Sequence, residues 1–259
     1  MARARVAVVT GAASGIGRAV AERWLASGGS VVAVDLDRDG LAWIGSQVEP
    51  RQIVSVAGDV TTEATNAEMV AVALEHFGRV DTLVLNAGLP MAGPLDALPM
   101  EAFDRALAVN LRALVLGLRA GLPALRASEA AAVVATASVS GLGGDPGMWA
   151  YNAAKGGVVN FVRAASLDLA ADGIRVNAVC PGPIRTAMTR PIIEGAPDLA
   201  AQLVRNVPLR RWGEAEEVAS VIVFLASPEA SFVTGAIVPV DGGITASSGQ
   251  FLPVSAGSD

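Results

Sequence analysis

RVAVVTGAASGIGRAVAERWLAS, residues 5–27, carries three kinds of patterning in one short stretch. Its opening, RVAVVT (5–10), is a β-branched run that stays apolar instead of alternating, the signature of a strand covered on both faces. Glycines at 11, 15 and 17 follow at once, and residues 18–27 read as a helix. Glycine there permits a tight turn, close approach of a phosphate group and close packing of helix on strand, while the helix N-terminus offers N–H groups to an anion. Gly11, Ser14, Gly15, Ile16 and Gly17 are therefore candidate ligands for a dinucleotide pyrophosphate.

The same rhythm recurs along the chain. SVVAVD (30–35), QIVSVA (52–57), DTLVLN (81–86), AAVVATAS (131–138), IRVNAVC (174–180) and GAIVPV (235–240) read as further buried strands, with helix-length stretches between them such as NAEMVAVALEHF. Strand and helix in this alternation imply parallel pairing through right-handed crossovers. The expected fold is a single-domain, doubly wound α/β sheet of about seven strands with helices on both faces, spanning residues 1–245 and followed by a Ser/Gly-rich tail, 246–259. Asp35 closes the second strand, where a carboxylate can accept hydrogen bonds from both hydroxyls of an adenosine ribose.

Composition narrows the possible functions. The 259 residues are 52% hydrophobic and 17% charged with a net charge of −6, so nothing resembles the basic stripe of a nucleic-acid binder. Cys180 is the sole cysteine, which excludes an internal disulfide and suits a reducing cytoplasm. The apolar run near the N-terminus is too short for a secretory signal. The segment 106–125 is interrupted by Arg112 and Arg119 and reads as a buried helix, not a membrane span. With His76 the only histidine and no cysteine pair, no metal site is expected.

YNAAK, residues 151–155, holds the only tyrosine and the only lysine of the chain. Side chains four apart share a helix face. A phenol titrating near 10 is a poor base at neutral pH, and a neighbouring ammonium, with an oxidised nicotinamide, favours the phenolate and brings it into a usable range. Parallel strand ends would set Asp35, Asn86 and Ser138 along one crevice.

Taken together, TGAASGIG at 10–17, Asp59 in GDV, NAG at 86–88, Asn110 in AVNLRA, Ser138 in ATASVSG, YNAAK, PGPIRT at 181–186 and DGG at 241–243 resemble, in order and spacing, the classical short-chain dehydrogenase/reductase family. The resemblance covers nearly the whole chain and implies a catalytic tetrad of Asn110, Ser138, Tyr151 and Lys155, with Asn110 supporting a water that leads to Lys155. It further implies Asp59 and Val60 at the adenine, Asn86, Ala87 and Gly88 under the adenosine half, and Pro181, Gly182, Ile184 and Thr186 at the nicotinamide, with Tyr151 and Lys155 also touching the cofactor. Leu85 before NAG and Ala154 in YNAAK depart from the commonest pattern without removing a tetrad side chain.

The implied activity is hydride transfer between NAD(H) and a secondary alcohol or ketone. NAD is expected over NADP because Asp35 would lie against a 2′-phosphate and Ser14 precedes Gly15 where a basic residue is absent. Segments after the fourth, fifth and sixth strands offer a largely apolar pocket, compatible with a steroid, a cyclic ketone, a polyol or a 3-oxoacyl thioester. A lyase or epimerase would betray itself by turnover without net cofactor reduction, and a non-catalytic regulator by NADH binding without turnover. The family resemblance also implies a homotetramer, which apolar residues around the stretches 101–126 and 150–171 would support, among them Val109, Leu111, Leu114, Leu118, Val158, Val159, Phe161 and Leu167.

Overall fold

The computed structural model describes residues 4–47 and 52–248. Its strands are β1 Val6–Thr10, β2 Ser30–Asp35, β3 Ile53–Ala57, β4 Thr82–Leu85, β5 Ala132–Thr136, β6 Arg175–Pro181, the short β7 Ile184–Arg185 and β8 Gly213–Glu214, and β9 Ile237–Val240. Helices α1 Gly15–Ala26, α2 Ile44–Gln47, α3 Glu63–Phe77, α4 Met100–Leu107, α5 Ala113–Arg126, α6 Trp149–Asp168, α7 Arg190–Gly195, α8 Pro197–Asn206 and α9 Ala215–Ala226 connect them. Seven strands form one parallel sheet in the order β3-β2-β1-β4-β5-β6-β9, while β7 and β8 pair separately. The expected doubly wound sheet is therefore present, and the chain reverses its winding between β1 and β4, where a crevice must open.

The continuously apolar strands are explained by the two helical layers. Val6 and Val8 face one core with Val32, Leu83, Val133 and Val176, against Met69 of α3, Leu114 of α5 and Val158 of α6. The alternate residues Ala7 and Val9 face the other core with Val31, Val84 and Val134, against Val20 and Trp24 of α1 and Ile222 of α9. Each strand side chain thus has an apolar neighbour whichever way the pleat turns it.

At the amino ends of the strands, fully buried Asp81 accepts from Val6 N at 2.8 Å, Arg79 Nε at 2.8 Å and Ser128 Oγ at 2.6 Å. Burial alone would push this carboxyl up, but the hydrogen bonds from Arg79, Ser128 and the Val6 amide prevail and hold it below its ordinary value.

Residues 100–126 make one helix, long and apolar enough by composition to cross a membrane. One face of it, Ala106, Asn110, Leu114, Leu118 and Leu125, is buried within the protomer. Between α4 and α5 it passes through a π-helical turn, Ala108–Arg112. The apolar surface expected to remain for a partner subunit is correspondingly smaller. Leu114, Leu118, Val158 and Val159 are consumed by the sheet, whereas Leu167 stays 78% exposed and Phe232, outside both stretches, is fully exposed. The tail beyond residue 248 lies outside the described residues.

Candidate active site

The carboxyl ends of β1, β2, β4, β5 and β6 open into a cavity of about 760 Å³. At one end the glycine loop turns from β1 into α1. Gly11 and Gly15 adopt φ of +70° and +53°, a region that side chains disfavour. A Cβ on Gly17 would strike the Gly11 carbonyl oxygen, so this glycine lets α1 begin directly beneath the loop and is not itself part of the cavity wall. Ser14 occupies the N-cap of α1 without a side-chain capping bond, which leaves the first N–H groups of a 12-residue helix free of side-chain partners.

Beside the loop, Asp35 Oδ2 accepts from Ala13 N at 2.9 Å and Oδ1 from Asp37 N at 3.0 Å. The two bonds fix the carboxylate at the cavity wall, and each oxygen keeps further acceptor capacity. Asp37 lines the same wall, as does Leu36, whose side chain is 66% exposed. Asp59 is fixed by Thr61, which donates from its backbone N at 2.9 Å and its Oγ1 at 2.8 Å, and places Val60 at the cavity edge.

The cavity floor is held by a network that crosses three strands. Thr10 Oγ1 accepts from Asn86 N at 2.9 Å and Ala87 N at 3.0 Å, Asn86 Nδ2 donates to Thr10 O at 3.0 Å, and Thr136 Oγ1 donates to Asn86 Oδ1 at 3.0 Å. Neither threonine was among the residues expected from sequence. Their signal is present, however, as polar side chains ending otherwise apolar strands.

At the other end of the cavity stand Ser138, Tyr151 and Lys155. The two α6 side chains lie one turn apart, with Lys155 Nζ 5.7 Å from the Tyr151 ring centroid. Lys155 is 3% exposed and donates from Nζ to the Thr136 carbonyl at 2.8 Å. Ser138 Oγ accepts from Ser140 N at 3.2 Å and faces the same cavity as the phenol. Burial brings the Lys155 ammonium down to about 8. Burial also pushes the Tyr151 phenol above its ordinary 10, with help from Asp145 and against the Ser138 hydroxyl. In the protein alone desolvation dominates at this depth, whereas the expected lowering concerns the enzyme with oxidised nicotinamide beside Lys155. Cys180 lies behind the site, fully buried, and burial pushes its thiol up to about 11, which leaves it an inert packing group.

Pro181, Gly182, Ile184 and Thr186 complete the wall, as expected. A Cβ on Gly182 would come within 2.9 Å of Asp241 Cα, so the PG and DGG turns can pass only with glycine here.

Asn110 stands behind the cavity wall. It sits in the π-helical turn, 2% exposed and outside the cavity wall, with Oδ1 accepting from Leu89 N at 3.2 Å and Nδ2 donating to Leu89 O and Ala106 O at 3.1 Å each. Its amide is engaged with protein backbone. The π turn releases the carbonyl pattern of a straight helix and lets this polar side chain reach sideways to the loop. Gly88 lies between the two groups, since a Cβ there would meet Asn110 Oδ1 at 2.8 Å and Lys155 Nζ at 3.4 Å. Every other catalytic or cofactor residue proposed from sequence, Gly17 excepted, lines this cavity, whereas no residue of the segment after the fifth strand, 141–149, does.

A family model described as "Enoyl-(Acyl carrier protein) reductase" matches residues 11–245. The chain is 40% identical over 248 residues to 2-(R)-hydroxypropyl-CoM dehydrogenase of Xanthobacter autotrophicus, covering 93% of this chain and 99% of that one. This chain belongs to the classical short-chain dehydrogenase/reductase family. A second relative of the short-chain enzyme, meso-2,3-butanediol dehydrogenase of Serratia marcescens, is 40% identical over 247 residues, 95% of this chain and 96% of that one. Among solved structures, the 3-ketoacyl-(acyl-carrier-protein) reductase of Brucella melitensis complexed with NADH superposes with a TM-score of 0.87 at 31% identity, over 94% of this chain and 99% of that one.

Proposed function

We propose that this short-chain enzyme is an NAD(H)-dependent oxidoreductase that interconverts a secondary alcohol and a ketone. The observation that carries the reading is the placement of the chain's one tyrosine and one lysine with Ser138 in the same cavity as the glycine loop and Asp35. A dinucleotide suits this cavity on physical grounds. The glycines keep the loop free of side chains, α1 presents uncapped N–H groups for a pyrophosphate, and the fixed Asp35 carboxylate can accept from ribose hydroxyls. Asp59 and Val60 would border the adenine, Asn86, Ala87 and Gly88 the adenosine half, and Pro181, Gly182, Ile184 and Thr186 the nicotinamide.

When bound, the nicotinamide supplies hydride transfer to or from the substrate carbon. The protein moves the proton. Tyr151 takes it from the alcohol or gives it to the forming alkoxide, and Ser138 donates a hydrogen bond that fixes the substrate oxygen beside the phenol. Lys155 places positive charge one turn from that phenol, and a second cationic group in the closed site would favour the phenolate further. Asn110 keeps the Leu89 backbone in register so that Gly88 stays close to Lys155. Asp35 and Asp37, both at the wall, would repel a 2′-phosphate and support NAD over NADP.

A 3-oxoacyl thioester as substrate is a second reading, favoured by the 3-ketoacyl-(acyl-carrier-protein) reductase of Brucella melitensis. A panel of secondary alcohols, diols, cyclic ketones and 3-oxoacyl thioesters, followed at the NADH absorbance, separates the two. We further propose a cytoplasmic homotetramer, supported by the unpaired buried Cys180 and by exposed Leu167, Phe224 and Phe232. Light scattering at micromolar concentration that gives only a 26.2 kDa species would exclude the tetramer.

A further inference from the structure

We propose that Asn152 is a positioning residue that clamps the glycine-rich loop joining Ser138 to Tyr151 and so registers these two side chains to each other. The proposal rests on the oxidoreductase reading above for its kinetic consequence, though not for the clamp itself. The loop between β5 and α6 reads GLGGDPG at 141–147. A Cβ built on Gly143, Gly144 or Gly147 would meet nothing within 4 Å, so steric packing does not hold these residues in place. Four glycines in seven residues also give this segment a large conformational freedom to lose.

Backbone bonds hold the ends of the loop, from Leu142 N and Gly143 N to Val139 O and from Met148 N to Asp145 O, and one side chain ties it to α6. Asn152 Nδ2 donates to Ser140 O at 2.8 Å and Gly143 O at 2.9 Å, and lies 3.3 Å from Asp145 Oδ2. The amide keeps this arrangement although its own Oδ1 is buried without a hydrogen-bond partner. The clamp reaches a second loop as well, because Gly93 N, after β4, donates to Gly147 O at 2.8 Å. Asn152 follows Tyr151 on the same helix, so its amide sets the position of residues 140–145 relative to the phenol. Loss of the amide would loosen the segment that ties Ser138 to Tyr151 while leaving the glycine loop and Asp35 untouched.

The test compares full-length wild type with Asn152→Ala in the presence of NAD+. Two lost hydrogen bonds should raise KM for the best alcohol by about tenfold. kcat should fall less than KM rises, and NADH affinity should stay within about twofold of wild type, as expected for lost uniform substrate binding. Amide exchange over residues 141–147 should accelerate. Adding Gly143→Ala and Gly144→Ala, at positions with open space and no positive φ, should stiffen the loop and recover part of the lost KM. Unchanged exchange over 141–147 in Asn152→Ala would overturn the clamp. A joint loss of NADH affinity and stability without a KM effect would reduce Asn152 to a general structural residue and equally overturn the proposal. If wild type turns over no alcohol or ketone, the oxidoreductase reading fails while loop exchange still decides for or against the clamp.

Discussion

Lys155→Met replaces a buried ammonium by an uncharged side chain of similar length, and its effect on stability should depend on pH in a defined sense. Burial brings this ammonium from an ordinary 10.5 to about 8. At roughly 1.4 kcal/mol per pH unit, the difference amounts to about 3 kcal/mol. The folded value lies below the unfolded one, so the unfolded chain holds the proton more tightly and wild-type stability must rise with pH between the two values. The burial penalty is complete below about pH 8, shrinks up to 10.5 and is absent above it. Against this, Met leaves the Thr136 carbonyl without the 2.8 Å donor, a loss of roughly 1–3 kcal/mol at every pH. Near neutral pH the variant should therefore match or exceed wild type by up to about 2 kcal/mol, and above 10.5 it should be the less stable by roughly 1–3 kcal/mol. Urea unfolding of both proteins at one fixed concentration, at neutral and alkaline pH, measures the difference. A difference that stays constant within about 1 kcal/mol across this window would refute the claim that the site holds a cation against its desolvation. The same variant should lose most turnover, whatever its stability.

Asp35→Ala should narrow the preference for NAD over NADP by about 10- to 100-fold, read as the ratio of the two kcat/KM values, and an unchanged ratio would remove Asp35 from cofactor selection. Tyr151 is the only tyrosine, so its ultraviolet titration reports one residue. The midpoint should lie above 10 in the protein alone, where burial dominates, and drop on saturation with NAD+. A midpoint that does not move with NAD+ would argue against electrostatic coupling between phenol and cofactor. Asp81→Asn should destabilise by roughly 3–5 kcal/mol through the broken buried pair with Arg79, with KM values unchanged in the protein that remains folded. Because the Asp81 value is depressed on folding, its contribution is present above the ordinary carboxyl range and is lost as pH falls through the folded value, which an acid unfolding series on both proteins would detect.

The sheet was legible from residues because its central strands, β1, β2, β4, β5 and β6, are buried on both faces and so read as nearly uninterrupted apolar runs. Edges were less certain. QIVSVA loses its first residue from the ladder, and β9 begins at Ile237 instead of Gly235, because pairing partners and not apolarity decide where a strand ends. The short β7 and β8 ladder carries no periodic signal at two residues each. At the site, glycines and the YNAAK pair stood out because steric need and helical spacing leave marks in sequence. The hydrogen bonds that Thr10, Thr136 and Asn152 make are tertiary, joining positions that only the folded sheet brings together. Asn110 was found by pattern, yet its use of the Leu89 backbone follows from a π turn that no local propensity announces. The apolar positions on the two long helices showed the opposite failure, since most of them serve the core and only coordinates reveal which.

The most direct measurement is single-turnover oxidation of the best alcohol from the panel by wild type and by Tyr151→Phe, followed at the NADH absorbance. Wild type should form NADH, and Tyr151→Phe should be slower by about 10²- to 10⁴-fold, the range for a positioned acid and base, while binding NADH with nearly unchanged affinity. NADH formation by Tyr151→Phe at close to the wild-type rate would contradict the assignment of proton transfer to the chain's one phenol.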